Sequence, residues 1–262
     1  MSTARRLPIL VYHHVYRQDE PLLQQADFAT GAGIIGLQAF AQQLDFLLEQ
    51  GWTFVSTTQV VDWLTNGASL PTKTCALHFD NGWLDTATVV LPHLRSLGLT
   101  ATCFPITDGL EAASQGRSAA VRTLTEGVVE HPFMTWDQAG ELAAAGWELG
   151  AHTATHCKMA DTYAENGAAG VIAEAERANA LFAHHLGAVP EHFAYPSGSR
   201  TAATDALLAG YYRSLRLWEF AWPVSWTFTH ADTSPLGLAC QNIDLRVPFA
   251  DFTRLFDQAL AA

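Results

Sequence analysis

Short apolar runs closed by turn residues alternate with stretches of helical periodicity about seven times along this chain. The runs are residues 9–12, 53–56, 74–79, 100–106, 148–151, 192–195 and 238–247. Between them Phe40, Leu44, Leu47 and Leu48 share one helical face that stops at Gln50-Gly51, and Val60, Val61 and Leu64 continue the pattern after Thr57-Thr58. Residues 84–97 predict a third helix interrupted by Pro92, residues 136–145 a fourth ending at Gly146, and residues 171–186 the longest. Alternation of this kind predicts an α/β fold with a parallel sheet. A length of 262 residues favours a closed (β/α) barrel over an open sheet. No Pro/Gly/Ser-rich linker or repeat divides residues 1–262, so they read as one domain. Residues 110–131, rich in Ala, Gly, Ser and Thr, read as a long insertion or lid.

Composition removes several classes. Hydrophobic residues are 49% and charged residues 15%, which supplies a core and excludes disorder. The formal charge of −12 disfavours nucleic acid as a partner. No apolar run reaches the roughly 18 residues of a membrane span. The basic start at Arg5-Arg6 leads into too few apolar residues for a secretory leader. The expected location is the cytoplasm, or outside it if a leader was removed. Cys75, Cys103, Cys157 and Cys240 are widely spaced and read as reduced core cysteines. Oligomeric state leaves no mark in the sequence.

Gly31-Ala32-Gly33-Ile34-Ile35-Gly36 matches the dinucleotide fingerprint in spacing. Residues 24–30 make a poor central strand before it and no acidic strand end follows, so a flexible loop leading into a helix is expected. Leu77-His78-Phe79-Asp80-Asn81-Gly82 carries more information, because an apolar strand there ends in a polar cluster and a glycine. Alternation puts Ala76, His78 and Asp80 on one face, with His78 one layer below Asp80. His152 and His156 follow another strand at i and i+4, a spacing that lets two imidazoles face one metal ion. Imidazole suits zinc, cobalt, nickel or iron, and Asn81 is the nearest third ligand. Phe193-Ala194-Tyr195-Pro196-Ser197-Gly198 ends a third strand with a proline that stops pairing.

Taken in order, these segments resemble the motifs of the polysaccharide deacetylases, the NodB-homology or family-four carbohydrate esterases. Leu10-Val11-Tyr12-His13-His14-Val15, Phe133-Met134-Thr135-Trp136-Asp137 and residues 147–152 look like the branch that deacetylates poly-N-acetylglucosamine. The resemblance runs from about residue 7 to about 200, and weakly through residues 242–247. It implies a distorted (β/α)7 barrel and a divalent metal, zinc first, with cobalt or nickel as alternatives. It implies His152, His156 and Asn81 as metal ligands and Asp80 as general base towards the attacking water. It assigns the general acid to His13 on the opening strand or to late His230, with His14 third. Tyr195, Pro196 and Ser197 would border the substrate, and a backbone N–H near Ser197 would help hold an oxyanion.

Departures from the pattern carry their own expectations. Asn81 stands where the family has an aspartate ligand, so metal binding is weakened, or absent if the amide cannot ligate. The substitution fits a working weak site, a metal-free relative, or a change made to trap substrate. The arginine that pairs with the catalytic aspartate in much of the family has no counterpart at Ala194. His78 is therefore expected to orient Asp80 or to supply a third ligand. Trp218, Phe220, Trp222, Trp226 and Phe228 offer faces for sugar stacking, Trp222 foremost, though the same spacing fits a buried strand. The expected activity is removal of an N-acetyl group from an amino sugar, polysaccharide or glycoconjugate. The alternatives are a carbohydrate-binding relative without metal, or a hydrolase of a non-sugar amide.

Overall fold

A computed structural model describes residues 5–124, 126–218 and 225–261. Its wall consists of β1 (Ile9–Tyr12), β2 (Thr74–Asn81), β3 (Thr102–Pro105), β4 (Glu148–Leu149), β5 (His192–Ala194), β6 (Ser214–Arg216) and β7 (Gln241–Asn242). β7, β1, β2, β3 and β4 pair side by side in parallel, with Tyr12 opposite Phe79 and Asp80 opposite Phe104. β5 and β6 form a second parallel pair, with Ala194 opposite Arg216. Two single parallel bridges close the ring, Ala151 to Phe193 and Arg216 to Leu238. Closure through one-residue bridges rather than full ladders is what distorts this (β/α)7 barrel.

The structure's wall differs from the expected run of strands at two places. Thr53–Phe54 pairs only with Thr74 and Cys75 at the start of β2 and flanks the wall. β6 takes its place in the count; three residues are too few to show a period of two. Residues 238–247 pair only at Gln241–Asn242, and Asp244 then turns the chain through a bond from Val247 N–H to its carbonyl.

Side-chain alternation sorts two cores. Leu77 and Phe79 point outward beneath the helices, where Tyr12 stacks on Phe79 at 5.6 Å. Ile9, Val11 and Ala76 point inward and meet Val60, Val61 and Leu238, which plug the floor of the barrel. The helix Thr57–Asn66 that delivers this plug begins with a reciprocal cap between Ser56 and Gln59. Above the plug the interior turns polar: Thr57 Oγ1 meets Thr102 Oγ1 at 2.7 Å and His78 Nε2 at 3.0 Å.

Pro92 acts as its chemistry requires. It sits in the first turn of Leu91–Ser96, and the five residues before that helix, Thr86–Val90, widen to a π-helix. Met159–Leu186 starts earlier than expected but is broken at Gly167, whose φ is 64°. Residues 110–131, the expected insertion or lid, contain the end of Thr107–Ser114 and an antiparallel hairpin, Val121–Thr123 with Gly127–Val129. No described helix is long and apolar enough to cross a membrane.

Candidate active site

The strand β2 ends where Asn81 and Gly82 both take positive φ, 72° and 77°. Asparagine tolerates that region and glycine favours it. A Cβ at Gly82 would lie 2.6 Å from Pro105 Cβ, so only glycine lets β2 and β3 part this closely. The turn leaves Asp80 and Asn81 at the carboxyl end of the barrel, where one cleft is lined by His13, Asp80, Asn81, His152, His156 and Ser197. Among the described residues, the non-glycine positions with positive φ are Asn81, Thr153, His156 and Ser197. Each such position costs on the order of 1–3 kcal/mol. All four border this cleft or, like Thr153, brace it by accepting the His156 N–H at 2.8 Å. Backbone strain is thus concentrated on one site.

Asp80 is 1% exposed and its Oδ1 accepts from Arg216 Nη2 at 2.5 Å. Burial alone would raise its pKa. The Arg216 guanidinium, with His152 and His13 adding to it, more than offsets burial and holds the carboxyl at about 2. Arg216 is fully buried too; its Nη1 donates to Leu217 O at 3.0 Å and its guanidinium lies 5.1 Å from the Phe104 ring centroid. His13 Nε2 stands 3.9 Å from Asp80 Oδ2. Burial pushes His13 down to about 4, against the pull of Asp80.

The two histidines after β4 have fixed tautomers. His152 Nδ1 lies 2.8 Å from Ala194 O and His156 Nδ1 lies 2.8 Å from Arg122 O. A carbonyl only accepts, so each Nδ1 carries the hydrogen and each Nε2 is left with its lone pair. Burial keeps both rings neutral, bringing His152 down to about 3 and lowering His156. Beside them Asn81 Oδ1 is buried and has no hydrogen-bond partner. Two imidazole nitrogens anchored through Nδ1 and one orphaned amide oxygen make a donor set that fits a divalent metal.

Several expectations need correction. An arginine partner for Asp80 exists: it is Arg216, on β6, outside the motif where one was sought. A charged residue in the apolar run Ser214–Leu217 was the available signal. His78 does not orient Asp80 and does not join the ligand set, because it bonds to Thr57 in the layer beneath. His230 pairs with Arg6 ahead of β1, at the opposite end of the barrel from Asp80. His14 turns towards Asp85, with Nδ1 2.9 Å from Oδ1.

In the third motif only Ser197 lines the cleft. Tyr195 is fully buried and its hydroxyl donates to Asp205 at 2.8 Å, and Pro196 is buried against the barrel. Alternation along β5 turns Phe193 and Tyr195 outward. Trp218 lines the cleft, its Nε1 donating to Asn242 Oδ1 at 3.2 Å, whereas Trp226 and Phe228 pack on the core. Phe220 and Trp222 lie outside the described residues. The glycine-rich segment carries a short strand, Ile34–Gly36, between its loop and the following helix, and Gly33 N–H donates to Asp244 Oδ2 at 3.0 Å.

Buried neutral histidines make stability depend on pH. In the unfolded chain His13 and His152 take up protons as pH falls through their ordinary value of 6.5; in the folded protein they do so near 4 and 3. The unfolded state therefore binds more protons across that window, and stability falls as pH falls through it. The metal-free protein is expected to melt roughly 5 °C or more lower at pH 5 than at pH 7. His13→Gln should shrink that difference; an identical melting temperature at both pH values would contradict the assignment.

The profile of the polysaccharide deacetylase family matches residues 67–212, a stretch that holds Asp80, Asn81, His152, His156 and Ser197. No curated protein matches the chain. Among solved structures, the deacetylase PplD of Streptococcus pyogenes in complex with acetate is similar with a TM-score of 0.77 at 21% identity, covering 97% of this chain and 99% of its own. IcaB from Ammonifex degensii gives 0.74 at 23% identity, covering 98% of each chain. A de-N-acetylase from Aggregatibacter actinomycetemcomitans gives 0.73 at 18% identity, covering 95% of this chain and 99% of its own. At these identities the likeness is one of fold, extending over the whole barrel. With its profile match spanning all three strand-end motifs, the chain belongs to the polysaccharide deacetylase family.

Proposed function

We propose that the protein is a metal-dependent hydrolase that releases acetate from an N-acetylated amino sugar, in a polymer or in a sugar-containing small molecule. The observation that carries this reading is the buried, ionised Asp80, held by Arg216 and facing His13 across from the His152–His156 pair. The names of similar structures, a deacetylase and a de-N-acetylase, support the same chemistry. His152 Nε2, His156 Nε2 and Asn81 Oδ1 would hold the metal, zinc, cobalt or nickel by ligand type. When bound, such an ion polarises a carbonyl and lowers the pKa of water.

The protein's own groups supply the proton handling. Asp80 is ionised at every pH near neutrality and its Oδ2 faces His13, so it accepts the proton of an attacking water. The departing amine then needs a proton. His13 Nε2 is the group placed to carry one from Asp80 Oδ2 to that nitrogen, being neutral at rest and able to accept before it donates. Trp218 gives the cleft wall an aromatic face for a sugar ring.

Asn81 favours a second reading, a carbohydrate-binding relative with an unfilled metal site. Asn81→Asp adds the one anionic ligand and is expected to tighten zinc binding at the His152 site by about tenfold or more. Calorimetric titration with zinc chloride measures this, with His152→Ala as control. Acetate release from N-acetylglucosamine oligomers then separates the readings. Release by the natural chain that disappears in His152→Ala supports the hydrolase. Oligomer binding without release, in the natural chain and in Asn81→Asp alike, establishes the binding protein instead.

A further inference from the structure

We infer a second divalent-metal site, separate from the His152–His156 pair, formed by His14, Glu126 and His131. One ligand atom from each lies within 4.8 Å of the other two. His14 is the anchor. Its ring is 3% exposed and stacks between Tyr16 and Trp83 at centroid distances of 4.8 and 4.9 Å. Nδ1 lies 2.9 Å from Asp85 Oδ1, and Asp85 is itself fixed because its Oδ2 accepts Val15 N–H at 2.8 Å. A carboxylate accepts, so Nδ1 carries the hydrogen and Nε2 presents a lone pair.

That lone pair is buried with no hydrogen-bond partner. Simple packing of the ring leaves it unexplained, since an unsatisfied buried acceptor costs about 1–3 kcal/mol. A histidine whose Nδ1–H is held by a carboxylate while Nε2 is free has the arrangement that orients metal-binding imidazoles. The other two ligands face it. His131 meets the His14 ring edge-on at 4.9 Å, and its Nε2 lies 2.9 Å from Glu126 Oε1.

A cation takes the place of the hydrogen now shared by His131 Nε2 and Glu126 Oε1, with the His131 ring passing to its Nδ1–H tautomer. A neutral ring releases no net proton, and an imidazolium gives one to solvent. Bonds of about 2.0–2.2 Å put the donors of a tetrahedral site roughly 3.3–3.6 Å apart, so a pair at the 4.8 Å limit must close by about 1.2–1.5 Å while His131 Nε2 and Glu126 Oε1, at 2.9 Å, must open slightly. Glu126 lies in the turn between Val121–Thr123 and Gly127–Val129, where a side-chain rotation provides that movement. His14 and Glu126 also line the catalytic cleft, so the fourth position opens onto it. The hairpin's Arg122 carbonyl holds His156, so an ion here ties that support to the barrel.

The test uses the full chain carrying His152→Ala and His156→Ala, titrated calorimetrically with zinc chloride alone. One zinc per chain is expected. Adding His131→Ala should weaken it at least 100-fold, and adding Asp85→Asn should weaken it about 10–100-fold. Glu126→Gln is a second ligand variant in case His131→Ala fails to fold, with circular dichroism checking each protein. No zinc bound by the folded starting chain, or equal affinity after loss of His131 or the Glu126 carboxylate, overturns the site.

Discussion

Asp80→Asn is expected to lower the rate of acetate release by about 10²–10⁴-fold, the range of a positioned general base. The substitution keeps the shape of the side chain and an acceptor for Arg216 Nη2, but removes the group proposed to take the proton. Its effect should appear in kcat more than in KM, because Asp80 is 1% exposed and offers substrate little contact area. The Arg216 counter-charge is lost as well, so the rates must be measured well below the variant's melting temperature. A variant within threefold of the natural rate would remove Asp80 from the chemistry and leave His13 as the base.

Arg216→Met carries the largest expected loss of stability. It leaves the Asp80 carboxylate buried without its cation, and breaking a buried pair from one side costs about 3–5 kcal/mol. Urea unfolding at pH 7 measures that loss. The same variant changes the pH dependence. Arg216 is the strongest of the influences that lower the Asp80 pKa to about 2, and without it burial acts in the opposite direction. The carboxyl is then protonated as pH falls through a higher value, so activity is lost earlier on the acid side. A stability role alone would lower the unfolding free energy without moving that limb. The double variant Asp80→Asn with Arg216→Met should lose less stability than the sum of the single losses, because neither buried charge remains alone. Strict additivity would mean that the pair is not coupled.

How much of this could be read from the chain varied with the range of the interaction. Alternation along residues 74–81 placed His78 and Asp80 on one face because that periodicity is local to a strand. The strand end at Asn81-Gly82 was legible for the same reason. His152 and His156 were recognisable as a pair by spacing, and the structure brings both to the cleft beside Asn81. A legible strand does not by itself place Tyr195. Its motif drew attention to the ring, whereas the parity of β5 sends Tyr195 outward to Asp205 and leaves Ala194 facing in. The three-residue β6 leaves no legible periodicity in the sequence, and neither does the partner of Asp80 that it carries.

By itself the sequence determined the α/β alternation, the strand ends that carry polar groups, and the family to which those motifs belong. Each depends on contacts within a few residues or on a short pattern, and such information survives in one dimension. The tertiary structure alone decided which groups meet. Arg216 lies 136 positions from Asp80 and reaches it only because β6 is built into the closed ring, by its ladder with β5 and its single bridge to Leu238. His13 and, after it, His230 are both candidates in the sequence, yet the barrel puts them at opposite ends. Glu126 and His131 come close to His14 only because the fold brings the hairpin to the rim of the cleft. Side-chain pKa values follow the same division, for burial and a distant counter-charge are properties of the closed barrel and appear in no segment of the chain alone.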